Sequence, residues 1–125
     1  MIVAADTSSL VAFLSGESGK DVDLIDNFLD AGTIMLPPVV ITEILSDPKL
    51  PSNLVKFLEK IPLLTISQGY WKRAARLRSK IISKSLKCRL GDALISQSCI
   101  DNQVPLITRD KDFRHFLKYG DLELL

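Results

Sequence analysis

The stretch Leu90–Phe113, LGDALISQSCIDNQVPLITRDKDF, constrains the fold more than any other, because it sets a helix directly before a short apolar strand with acids at both ends. Ala93, Leu94, Ile95, Cys99 and Ile100 recur one and two turns apart, with Gln97, Asp101 and Asn102 opposite them, which predicts a half-buried amphipathic helix. Val104 and Pro105 break it. Pro105, Leu106 and Ile107 read as a buried strand, and Thr108, Arg109 and Asp110 follow where that strand leaves the sheet. A helix that feeds a parallel strand runs antiparallel to it. Asp92 at the start of the helix and Asp110 after the strand therefore share one rim.

The rest of the chain repeats this alternation. Apolar runs at 2–5, 33–36, 63–66 and 105–107 read as strands, with 122–125 as an edge strand. Helices are expected after the Thr7–Ser9 caps, over Val22–Leu29 up to Gly32, from Pro37 and Pro38 to Leu45, between Pro51 and Pro62, from Gln68 to about Lys87, and around Phe113–Leu117. The expected fold class is α/β: one domain over residues 1–125, with a central parallel sheet of four to five strands between two layers of helices.

Composition narrows the class further. The two cysteines, Cys88 and Cys99, are eleven apart with one histidine elsewhere, which supports neither a zinc site nor a redox pair and suits reduced thiols. No apolar run has the length of a signal segment or a membrane span, so a cytoplasmic protein is expected. A net charge of +1 conceals a strong asymmetry: residues 60–90 carry nine basic side chains and no acid, while the remainder holds seven basic side chains against all fifteen acids. The basic residues lie largely on one face of the predicted 68–87 helix. Such a face is commonly just solvated, but beside an acidic cleft it would attract a polyphosphate. Tyr70 and Trp71 on that helix read as core residues.

In open parallel sheets ligands bind at the C-terminal ends of the strands. Asp6 ends the first strand, Asp110 follows the fourth, Asp92 starts the helix feeding the fourth, and Glu43 lies on the helix leaving the second. Each has an ordinary explanation when taken singly, since Asp6, Asp92, Asp110 and Asp112 all suit helix caps. Glu43 is less easily explained. It is the only charge between Asp30 and Asp47, inside the apolar VVITEIL. Four carboxylates at one rim repel one another unless a multivalent cation neutralises them, and oxygen-only ligation points to Mg²⁺ or Mn²⁺, one or two ions, with a phosphate-bearing substrate. Thr7, Ser8 and Thr108 supply hydroxyls beside the acids.

With DTSS at Asp6, TEIL around Glu43, GDALISQSC from Gly91 and TRDKDF from Thr108, in that order, the chain resembles the PIN domain along essentially its whole length. Within that family it is most similar to the VapC toxins of bacterial and archaeal toxin–antitoxin pairs. The resemblance implies a metal-dependent endoribonuclease with Asp6, Glu43, Asp92 and Asp110 as the acidic quartet and Asp112 as a less constant fifth acid. It also implies support from Thr7 or Ser8 and Thr108, a homodimer, and a VapB-like antitoxin that blocks the cleft. Arg73, Arg76, Lys80, Arg89 and Arg109 are the candidate RNA contacts. Ser96 and Ser98 depart from the smaller residues usual in the family's helix. A phosphorelay receiver lacks its phosphoacceptor here, since Leu64–Ser67 ends the third strand. A haloacid-dehalogenase-type phosphatase would need an acid at Ser8. The alternatives that remain are a non-catalytic PIN-like module binding RNA or protein, and a DNA-directed nuclease.

Overall fold

The tripeptide Val3–Ala5 (β1) is wholly buried, and its two alanines let neighbouring elements pack close on either side. In the computed structural model, which describes residues 1–125, β1 is the middle of a parallel three-stranded sheet. It pairs with Ile34–Met35 (β2) through Val3–Ile34 and Ala4–Met35, and with Leu106–Ile107 (β3) through Ala4–Leu106 and Ala5–Ile107. The β1–β2 crossover carries Thr7–Leu14 (α1) and Lys20–Asp30 (α2). The β2–β3 crossover carries Pro38–Leu45 (α3), Ser52–Glu59 (α4), Tyr70–Ser83 (α5) and Leu90–Asn102 (α6). Because β1 lies between β2 and β3, the crossovers step in opposite directions, and right-handed connections then place their helices on opposite faces of the sheet. A 3₁₀ turn, Lys111–Phe113, and the short helix Arg114–Tyr119 (α7) close the chain over the core. Phe113 and Phe116, both buried, pack there with ring centroids 5.7 Å apart.

The sheet is shorter than the four to five strands expected. The segments at 63–66 and 122–125 each contribute one parallel bridge, Leu36–Leu63 and Leu106–Leu124, at opposite edges. Pro62 offers its carbonyl to the Leu36 amide but has no amide of its own, and Thr65 and Ile66 are exposed. Leu64 on one edge and Leu122 on the other are buried in the core, with Leu124 partly buried against it.

Two expectations about helix faces also fail. α6 is not half-buried: Ala93 and Ile95–Cys99 are all buried, because α5 packs on one side and α3 on another. Gln97 tolerates this because its amide donates to Asp101 (2.8 Å), but the hydroxyls of Ser96 and Ser98 have no partner. Tyr70 is core and donates its hydroxyl to the Leu94 carbonyl (2.6 Å), whereas Trp71 is 66% exposed. Cys88 and Cys99 are free and buried. No helix is long and apolar enough to cross a membrane.

Candidate active site

The C-terminal ends of β1 and β3 are stitched together directly after the last paired residues. The Asp6 amide donates to the Ile107 carbonyl at 3.0 Å, so Asp6 and Thr108 emerge side by side. Asp6 then caps α1, as a cap residue would: its Oδ1 accepts the Ser9 amide at 2.9 Å. The capping does not exhaust it. The Ser8 hydroxyl lies within 3.0 Å of both carboxylate oxygens, and the Thr108 hydroxyl donates to Oδ2 at 2.6 Å. Burial nevertheless prevails and raises the Asp6 pKa, with the charge of Asp110 adding to it and the three donors working against it.

Thr108 acts in two directions. Its Oγ1 also accepts the Asp110 amide at 3.0 Å, so one hydroxyl joins the carboxylate of Asp6 to the backbone of Asp110. Asp110 in turn caps the 3₁₀ turn by accepting the Asp112 amide at 2.9 Å, which places Asp112 beside it.

Glu43 and Asp92 arrive from the helices. Thr7 donates to Glu43 Oε1 at 2.6 Å, tying α3 to the first residue of α1. On the other side Glu43 Oε2 faces Gly91, where a Cβ would sit only 3.3 Å away. A glycine in the first turn of α6 costs roughly 1 kcal/mol of helix propensity, and here it lets that turn close up on Glu43. Sequence reasoning passed over Gly91 as part of a motif; the available signal was a poor helix former placed directly before an acid. Asp92, the next residue, has its pKa raised to about 6. Burial is the leading cause, followed by the charge of Asp110; Asp6 and Glu43 add to it, and Arg89 works against it. The four predicted acids thus share one edge of the sheet and feel one another's charge. No three of them converge tightly enough to cage an ion without further ligands.

The basic candidates divide. Arg73 is bound bidentately to Asp101, Nε–Oδ1 at 3.1 Å and Nη2–Oδ2 at 2.7 Å, and also donates to Gln68 and Ser67, so it fastens α5 to α6. Arg109 is bound bidentately to Asp21, Nε–Oδ2 at 2.7 Å and Nη2–Oδ1 at 3.1 Å, with Glu17 at 3.2 Å. Both guanidiniums are engaged in ion pairs within the fold, each side chain staying about a third exposed. Arg76, Lys80 and Arg89 are exposed.

The protein is an α/β sandwich whose parallel strands end in a rim of acids drawn from a strand end, two helices and a 3₁₀ turn. The family model of the PIN domain matches residues 3–118, and the chain belongs to that family. No curated protein shows significant sequence similarity to it. Among solved structures it resembles VapBC2 from Rickettsia felis, bound to a DNA fragment from its promoter. The TM-score is 0.78 and the identity 21%, over 100% of this chain and 98% of that one. It also resembles VapBC-5 of Mycobacterium tuberculosis, a member of the VapBC family of toxin–antitoxin systems (TM-score 0.69, 16% identity, 99% and 97% covered). A third is a toxin–antitoxin complex from Klebsiella pneumoniae (TM-score 0.68, 22% identity, 89% of each chain).

Proposed function

We propose that this PIN domain is a Mg²⁺- or Mn²⁺-dependent endoribonuclease, the toxin of a VapBC-like pair, restrained by a VapB-like antitoxin. The observation that carries the reading is the gathering of Asp6, Glu43, Asp92 and Asp110 at the C-terminal edge of the parallel strands, where burial and the neighbouring acids push the Asp92 carboxyl up. A cluster of that kind is charge-frustrated, and its donors, carboxylate oxygens only, fit a hard divalent cation that keeps part of its water shell. Asp6, Asp92 and Asp110 would hold the ion, with Asp112 as an additional acid at the same turn. A bound Mg²⁺ or Mn²⁺ supplies Lewis acidity, lowering the pKa of a water and neutralising charge on a phosphodiester.

The chain's own residues prepare the rest. Thr108 and Ser8 aim the Asp6 carboxylate, and Thr7 orients the exposed Glu43, which in this reading would ligate the ion or accept a proton from the attacking water. Arg76, Lys80 and Arg89 steer the RNA backbone. A groove of about 310 Å³ that includes Glu43 and Asp47 in its wall runs between α1, α3 and α4, its apolar lining being Val11, Leu14, Ile44, Leu50 and Leu54. It suits an amphipathic antitoxin segment whose basic side chain reaches the acids. The structural neighbours' toxin–antitoxin pairing supports that partner, and the reading includes a homodimer of the toxin.

The deciding experiment incubates antitoxin-free protein with total cellular RNA, and separately with single-stranded DNA, with and without Mg²⁺ or Mn²⁺. Discrete RNA fragments that need the metal and vanish in Asp6→Asn and Asp92→Asn are expected. Cleavage of DNA alone, or no cleavage by folded, metal-loaded protein, would overturn the proposal.

A further inference from the structure

Arg109 sits between Thr108 and Asp110, the two residues that join the β3 edge of the site, yet its own side chain turns to the opposite crossover. It reaches Asp21 in the first turn of α2, Glu17 and the Ser18 carbonyl (3.3 Å), all in or just after the α1–α2 loop. Asp21 carries the connection onward, because its Oδ2 also accepts the Ser9 hydroxyl at 2.8 Å, and the Ser9 amide donates to Asp6. A closed circuit results. It runs Asp6–Ser9–Asp21–Arg109 and returns through Thr108 to Asp6, with each link a hydrogen bond, an ion pair or a peptide bond.

Every other tie between the ends of β1 and β3 at this edge is one bond deep, the Thr108 hydroxyl and the Asp6 amide. The Arg109–Asp21 fork is planar and two-pronged, a geometry that fixes orientation as well as distance. The loop is shaped to admit it. Gly19 has φ +152°, and a Cβ there would stand 2.6 Å from Asp21 Oδ1 and 3.0 Å from Arg109 Nη2. A side chain at residue 19 would press the Asp21 carboxylate and the Arg109 guanidinium out of their present positions, and the positive φ would add backbone strain of its own.

We propose that Arg109 and Asp21 are positioning residues for the acidic site: their fork, held against Gly19, sets the separation and orientation of Asp6 and Asp110. The inference rests on the proposed metal-dependent function and adds to it two residues that touch neither metal nor RNA. It also separates this pair from Arg73–Asp101, the other bidentate pair, which lies nine residues along α6 from Asp92, about 13 Å by helix rise.

The test measures Mn²⁺ affinity of the full chain by titration calorimetry for wild type, Arg109→Met, Arg109→Lys and Gly19→Ala, with Arg73→Met as the matched loss of a fork elsewhere. Amide hydrogen exchange of Ser9 and Asp110 is followed in metal-free protein. Arg109→Met and Gly19→Ala are expected to weaken Mn²⁺ binding about 10-fold or more, the range found when groups that orient ligands are removed, and to speed exchange at both amides. Arg109→Lys keeps the charge but not the fork and should fall between. Arg73→Met should leave the affinity within about twofold and both amides protected. Wild-type affinity and protection in folded Arg109→Met would overturn the positioning role alone, as would an equal loss in Arg73→Met. Absence of Mn²⁺ binding by the wild type would overturn the proposed function and this role with it.

Discussion

Asp92→Asn should stabilise the metal-free protein at neutral pH while removing the proposed RNA cleavage. The Asp92 pKa stands at about 6 in the fold against an ordinary 3.8, so the folded state resists ionisation that the unfolded chain accepts. A raised pKa of this kind favours the fold fully below about pH 4, where the group is protonated in both states. The benefit is lost as pH rises through about 6, and above that the fold bears the charge at a cost. Taken whole, a shift of that size corresponds to roughly 3 kcal/mol. Asp92 is only partly buried, and solvent screening leaves about 1–2 kcal/mol. Against this stands the first-turn position in α6, where an anion gains roughly 0.3–1 kcal/mol from the helix dipole, and that gain is lost in the amide. Removing a buried charge, and with it the repulsion from Asp110, Asp6 and Glu43, outweighs that loss. The variant should therefore exceed wild type by about 1 kcal/mol, or roughly 3 °C in Tm, at pH 7.5 in EDTA. Near pH 4 the two should be equal. Adding Mn²⁺ at about 100 times its Kd stabilises only the chain that binds it, by about 2.7 kcal/mol, and the order should invert. Urea unfolding at both pH values, with and without Mn²⁺, reads all four conditions. A variant less stable than wild type at pH 7.5 in EDTA, by an amount unchanged at pH 4, would show that Asp92 is simply a helix-start residue and refute the electrostatic argument.

Thr108→Val removes the hydroxyl shared by Asp6 and Asp110. It should cost about 1.5–3 kcal/mol in urea unfolding at pH 7.5 and 10- to 100-fold in RNA cleavage; unchanged values in both assays would make the hydroxyl idle. Ser96→Ala and Ser98→Ala each delete a buried hydroxyl that has no partner, and each should raise the urea midpoint by up to about 1 kcal/mol equivalent. A lowered midpoint would reveal a bond the hydroxyl makes in solution. Val11→Glu, at a 41% exposed position in the groove, should leave metal-dependent cleavage intact and abolish inhibition by a co-produced antitoxin. Persistent inhibition would move the antitoxin's seat elsewhere.

The acids were legible in the sequence because their placement follows from local pattern and one topological rule. A strand that ends in Asp6, a strand followed by Asp110 and a helix begun by Asp92 must meet at one edge once the strands run parallel, and Glu43 stood out as a lone charge in an apolar helix. The arginines were not legible. A count of charges identifies a basic helix but cannot show that Arg73 has found Asp101, twenty-eight residues away, or that Arg109 has found Asp21, eighty-eight away. The same pairing helps to bury a side of α6 that its polar residues had marked for solvent, because Asp101 bonds to Arg73 of α5 and Gln97 bonds to Asp101. Trp71 was misplaced for the converse reason: apolar character does not oblige a residue to be covered. Once the pairs are known, the acids separate by chemistry. Asp21 and Asp101 each hold an arginine, and their pKa values are lowered, with Asp21 at about 2. Asp6 and Asp92 are instead desolvated and crowded by other carboxylates, and theirs are raised. A carboxylate already paired with a guanidinium gains little from a second cation. One that is buried and pressed by like charge is left with a deficit that a divalent ion would relieve, and in this chain those acids lie at the C-terminal edge of the strands, the edge at which open parallel sheets generally bind ligands.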